Sequence, residues 1–192
     1  MRAKGISILA AMAILATGCF AGSDLTTRHP FLAEKALVFE PALLGAWRLK
    51  GSPSDDLTFE SAGAGTYKVT VRVFDEQVVM EGRLGRLGKL FFLDLVLVSG
   101  TKGPPDESRQ APSLPEHLLL RFSLEKDVLR GALLDPDWLK PAVGRGEVRL
   151  GYELVDGDVV LTATTEELQR FLAQYARDKR AFSKEEEFHR QK

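Results

Sequence analysis

The sequence predicts a mainly β fold: a single antiparallel barrel of about 8–10 strands followed by a C-terminal α-helix. Three observations carry this. Several segments alternate apolar and polar residues with period two, the mark of half-buried strands. The links between them are short, which makes successive strands antiparallel neighbours. One late segment instead repeats its apolar residues at helical spacing. The chain has 192 residues, 44% of them hydrophobic, and no second hydrophobic block set apart by a linker. That is enough for one domain with a sizeable core.

The chain opens with Arg2 and Lys4, then runs fourteen residues without charge from Gly5 to Gly18, and reaches Cys19. Crossing a bilayer takes about 20 apolar residues, so residues 1–18 read as a cleaved export leader. The run Leu15-Ala16-Thr17-Gly18-Cys19 resembles the lipobox of bacterial lipoproteins, with Ala16 where Leu is usual. The resemblance implies a diacylglyceryl group on the Cys19 sulfur, acylation of its new amino group and a place in the cell envelope. Phe20 stands where Asp would signal inner-membrane retention, which favours the outer membrane in a cell that has one. The plainer alternative is an ordinary secretory leader with an incidental cysteine. Each buried lipid CH₂ contributes about 0.8 kcal/mol, so several chains on one residue anchor a domain without a protein span. Cys19 is the only cysteine, so no intramolecular disulfide is possible.

Residues 19–36 read as lipidated cysteine and tether, and residues 37–182 as the barrel domain. Strands are expected near 44–50, 56–61, 66–75, 77–85, 89–98, 117–126, 128–134, 147–155 and 158–164. The clearest is Thr66 to Phe74: Tyr67, Val69, Val71 and Val73 take one face, Thr66, Lys68, Thr70 and Arg72 the other. Leu90 to Val98 is apolar on both faces except at Asp94, as for a strand covered on both sides. Asp156-Gly157 supplies the positive φ angles of a tight hairpin; Ala62–Gly65 and Leu87–Lys89 read as further turns. Ser99 to Pro115, with four prolines and no periodicity, predicts a long loop over one barrel mouth. In Asp135-Pro136-Asp137-Trp138, Asp is a cap and Pro a first helical residue, so a short helical turn follows and ends near Pro141. Thr164 and Glu167 form a capping box. Leu168, Phe171, Leu172 and Tyr175 then stripe a helix near 165–179 that docks on the outside of the sheet. Residues 183–192 read as a charged, frayed tail.

The first strand contains Leu44-Gly45-Ala46-Trp47. A Gly-x-Trp there, a meander of strands and a closing helix resemble the lipocalin and wider calycin group. The resemblance implies that Gly45 and Trp47 close one end of a lipocalin-like barrel, with the Trp beneath an arginine, Arg149 or Arg121. The chain lacks that group's Thr-Asp-Tyr stretch and its disulfide. An open half-barrel, like the lipoprotein carriers of the bacterial envelope, and a sandwich are the alternatives. The series from Leu-Gly-x-Trp through Phe91-Phe92-Leu93-Asp94 and Leu114-Pro115-x-His117 to Asp135-x-Asp137-Trp138-Leu139 also resembles bacterial proteins of uncharacterised activity. It implies a shared fold and assigns no function.

Composition argues against nucleic acid as a partner. Loss of the leader removes Arg2 and Lys4 and leaves 24 Lys+Arg against 27 Asp+Glu, a formal −3. No basic stretch with interleaved aromatics offers phosphate a positive face. Metal spacings such as C-x-x-C or H-E-x-x-H are missing from the sequence, as are nucleotide-binding glycine motifs, so no cofactor is expected. His117 is the lone histidine of the predicted barrel; as a general base it needs a nucleophile and an orienting acid, with Asp94 and Asp135 as candidates. Its simpler role is a histidine satisfied at a strand end, and the chain is not expected to be an enzyme. A buried Asp94 in an apolar strand must find donors or a cation; it marks a polar point in a pocket, caps a neighbouring backbone group or faces solvent, three readings the sequence leaves open. Trp138 stacks on a ligand or, more simply, packs in the core. Asp94, His117 and Trp138 are thus the candidate ligand contacts. Two functions follow: a membrane-anchored lipoprotein that binds a small apolar ligand in a barrel pocket, or a structural or protein-interaction lipoprotein whose barrel is filled and whose partner is an envelope protein.

Overall fold

Hydrogen bonding joins eight strands into a closed antiparallel ring. A computed structural model describes residues 25–63, 65–73, 76–87, 89–100, 117–155 and 158–192. The ring consists of β2 (Gly45–Leu49), β3 (Asp56–Gly63), β4 (Thr66–Val73), β5 (Glu76–Leu87), β6 (Leu90–Gly100), β7 (His117–Glu125), β8 (Val128–Leu133) and β11 (Glu186–Arg190). Each pairs with its chain neighbour, and β11 closes the ring by pairing Phe188 with Leu49 of β2 and with Leu129 of β8. The half-barrel and sandwich alternatives are thereby excluded.

Side-chain alternation makes two cores from this one sheet. Inward-facing residues of all eight strands, among them Trp47, Phe59, Tyr67, Met80, Leu93, Phe122, Leu129 and Phe188, form one buried cluster inside the barrel. The outer faces of β6, β7 and β8 bear a second cluster through Phe92, Leu119 and Ala132. That layer is covered by α1 (Pro136–Gly144), by α2 (Thr165–Tyr175), and by the segment carrying Phe31 and Leu32. A three-stranded extension leaves the barrel at β7, where β1 (Leu25–Thr27) pairs at Thr27↔His117. β1 runs parallel to β10 (Asp158–Leu161), which pairs with the edge strand β9 (Tyr152–Val155).

The helices follow their end signals. The Asp135 carboxylate accepts from Asp137 N–H at 2.8 Å and starts α1. Pro141 lies inside α1, which ends at Gly144 rather than at the proline. In the capping box of α2, Thr164 N–H donates to Glu167 at 2.8 Å. The α2 stripe docks outside the sheet as expected, with Leu168, Phe171 and Leu172 at 0–5% exposure.

Two boundaries read from the sequence need correction. The tether assigned to 19–36 is packed from Leu25 onward: Phe31 is fully buried, and a 3-10 turn spans Glu34–Ala36. The frayed tail assigned to 183–192 contains the closing strand. Only Phe188 of β11 points into the core; its outward acids and bases are held by ion pairs, Glu187 with Lys50 at 3.0 Å and with Arg130 at 3.1 Å. The strand expected at 147–155 is paired only over 152–155. The Asp156-Gly157 turn, residues 101–116 of the long loop and Cys19 lie outside the described residues.

Candidate functional site

One end of the barrel is closed by Gly45, Trp47 and Arg190. Trp47 is fully buried, and its indole N–H donates to Leu43 O at 2.8 Å. The Arg190 guanidinium lies 4.2 Å from the ring centroid, a cation–π contact of about 0.5–2 kcal/mol. Arg190 also donates to Leu44 O at 2.7 Å, to Ala42 O, and to the Asp127 carboxylate at 3.1 Å. Gly45 has φ +116°, and a Cβ there would sit 3.1 Å from Arg190 Nη1. Glycine is thus required both by the turn of the backbone and by the approach of the guanidinium. The arginine over the tryptophan is therefore neither Arg149 nor Arg121. It comes from the closing strand, whose charged sequence hid it.

The described interior beyond this end is closely packed: Leu43, Trp47, Tyr67, Leu84, Leu93 and Leu129 are at 0% exposure, and Leu44, Leu124 and Leu133 pack partly buried against them. A Cβ added at Gly82 would lie 3.0–3.3 Å from Val69, Leu93 and Leu95, so a methyl group there would push these side chains aside by a few tenths of an ångström. Tyr67 places its hydroxyl at the rim, accepting from Glu40 N–H at 2.6 Å. Burial pushes this phenol above its ordinary value.

Asp94 and His117 meet in the outer layer, not in the barrel. Leu93 and Leu95 point inward, so Asp94 points outward. Its Oδ1 lies 2.8 Å from His117 Nδ1 and its Oδ2 accepts from Phe31 N–H at 2.9 Å. Both groups are buried, at 2% and 8% exposure. The carboxylate thus joins β6, β7 and the N-terminal segment. Asp135, the other acid considered for His117, caps α1. Among the described residues, no hydroxyl or thiol hydrogen-bonds to the His117 ring. Trp138 belongs to a different cluster, with ring centroids 6.4 Å from Phe171 and 5.3 Å from Tyr175. The structure therefore brings two of the three candidate ligand residues together and packs the third in an aromatic patch.

Arg121 is a buried group whose place the sequence did not reveal. It donates to Ala176 O at the end of α2 (3.1 Å) and to Glu185 (3.2 Å), and stacks 4.0 Å over Phe182. Burial pushes its guanidinium below the ordinary value, and Glu185 partly offsets this. An outward arginine on a strand covered on both faces was the available signal.

A groove of about 580 Å³ opens at the surface between α2 and the segment Gly146–Leu150. Glu167, Arg170, Phe171 and Gln174 form its helical wall, a single stripe by their spacing. One end is closed by the Tyr175 hydroxyl, which donates to Glu147 O at 2.9 Å.

No protein-family model, curated protein or solved structure matches the chain. Among the described residues, no three His, Cys, Asp or Glu side chains converge as metal ligands, and no helix is long and apolar enough to cross a membrane.

Proposed function

We propose that the protein is a lipid-anchored lipoprotein of the cell envelope whose barrel is a filled scaffold, with a structural or protein-binding task. The observation that carries the choice of scaffold over carrier is the packing of the interior. A pocket for a small apolar ligand occupies about 300 Å³ or more, and its walls would be open to a water-sized sphere. Here the largest inward side chains among the described residues, Trp47, Tyr67, Phe59, Phe122 and Met80, are at most 2% exposed, and a methyl group at Gly82 would press on Val69 and Leu93. The anchor rests on the charge-free run ending in Gly18-Cys19. The Asp94–His117 pair supports a positional role, because its second carboxylate oxygen holds a backbone N–H instead of facing a substrate.

Native mass spectrometry of the protein extracted from membranes tests the scaffold. The expected spectrum shows the polypeptide and its acyl chains alone; a stoichiometric apolar molecule would restore the carrier reading. Changing Cys19→Ala should move the protein from the membrane to the soluble envelope fraction. Retention of the variant on carbonate-washed membranes would refute the anchor.

A further inference from the structure

We propose that the groove beside α2 binds an extended acidic peptide segment of another envelope protein as an added β-strand, an inference that rests on the scaffold reading above. Glu147 to Gly151 alternates exposed and buried residues and leads directly into β9. Thr162 N–H donates to Gly151 O at 2.9 Å, which fixes the alternation of backbone groups. Gly151 faces β10, so Leu150, Tyr152 and Leu154 turn their N–H and C=O groups to the opposite edge. That edge has no partner strand among the described residues. Unpaired backbone along a strand is a ready template for a further one.

Charge decides what kind of segment fits. The acids of the groove are already engaged: Glu147 with Arg145 at 2.7 and 3.1 Å, and Glu167 in the α2 capping box. The bases are engaged less. Arg149 makes no hydrogen bond or ion pair among the described residues, and the Arg170 side chain makes one long 3.4 Å bond to Glu166 O. The Glu167 carboxyl is held below its ordinary value first by its Thr164 hydrogen bonds, and the Arg170 charge adds to this. Two permanently charged guanidiniums with unused donors therefore flank the open edge, and these select carboxylates. An apolar ligand gains little here, because Val148, Leu150 and Phe171 beneath the groove are at most 7% exposed. Downstream, Tyr152 and Leu154 are 40% and 61% exposed on one face of the same edge, so alternate apolar side chains of the added strand would meet them.

The test uses the full-length protein in detergent micelles and a fluorescent octapeptide of alternating Val and Glu, read by anisotropy. Controls are the same peptide with Lys for Glu, and the Glu peptide N-methylated at alternate amides. The Glu peptide should bind at least about tenfold more tightly than either control. The exposed pair Arg149→Glu with Arg170→Glu should invert the preference to the Lys peptide while circular dichroism stays unchanged. Absence of saturable binding by the Glu peptide, or indifference to the charge reversal, would overturn the proposal. Full displacement of the peptide by millimolar inorganic phosphate would also overturn it, in favour of a small-anion site. Native mass spectrometry of the same preparation separates the two readings. A molecule held in the barrel refutes the scaffold, whereas peptide binding tests only the groove.

Discussion

The barrel interior and the layer outside it are built from the same strands but hold together differently. The interior is almost purely apolar, and its two polar tips, Trp47 and Tyr67, are satisfied at the ends. The outer layer buries Asp94, His117, Arg121, Thr26 and Thr27 among its apolar residues. Its bonds join parts of the chain far apart in sequence: Phe31 to Asp94, Arg121 to Ala176 and Glu185. Apolar packing is strong but forgiving of exchange. A buried carboxylate or guanidinium is satisfied in only one arrangement, since leaving it unpaired is costly. The difference teaches that the interior is held almost entirely by apolar packing, while the outer layer adds buried polar bonds that fix where the N-terminal segment and α2 sit. The groove lies on that outer layer.

The comparison breaks first at Trp47. Trp47→Ala should destabilise by about 4 kcal/mol, through the cavity and the lost stacking of Arg190, seen as a large fall in melting temperature. An unchanged melt would mean that apolar packing does not hold the interior. Phe171→Ala in the outer layer should cost about 3 kcal/mol and loosen α2. Hydrogen exchange should then rise over residues 165–175 far more than over β3 and β4. Uniform acceleration would show the two cores to be one cooperative unit.

Asp94→Ala sharpens the comparison, because it strands Phe31 N–H and the His117 ring and should cost about 2 kcal/mol. Asp94→Asn, which keeps an acceptor for one of the two, should cost less. If both variants melt like the parent, the pair does not position the N-terminal segment. The smallest effect concerns the closing strand. Glu187 is held down to about 2, first by its hydrogen bond from Lys50 and then by that with His189. A depressed carboxyl contributes stability above its unfolded value near 4.5, and the contribution disappears as pH falls towards 2. Glu187→Gln should therefore melt below the parent at pH 7, and the gap should narrow on acidification through that window. A gap independent of pH would assign the loss to packing.

Much of the barrel was legible because alternation reports it directly. Tyr67, Val69 and Val71 declared one inward face, and the doubly apolar run around Phe92 declared a strand covered on both sides. The closing strand was illegible because one inward residue, Phe188, cannot establish a period, and its neighbours are charged for ion pairs with Lys50 and Arg130 that only the closed ring creates. Asp94 and His117 were each singled out, but their pairing depends on the β6–β7 register, Val96↔His117, which local sequence does not encode. The groove was hidden for a related reason. Residues 147–151 carry a strand's alternation, but that their outer edge is open follows from β9 being the last strand of the sheet among the described residues, which local sequence does not encode.

The closing strand also governs how the polypeptide can fold as it emerges. The bond between Arg190 and Leu44 O spans 146 residues of chain, and closing so long a loop is slow. A chain threaded amino terminus first through a narrow passage presents β2 early, but β2 cannot be shut in until residues 186–190 are through. Until then one margin of the nascent sheet stays unzipped, so a polypeptide exported as proposed above would stay pliable in passage and lock on arrival.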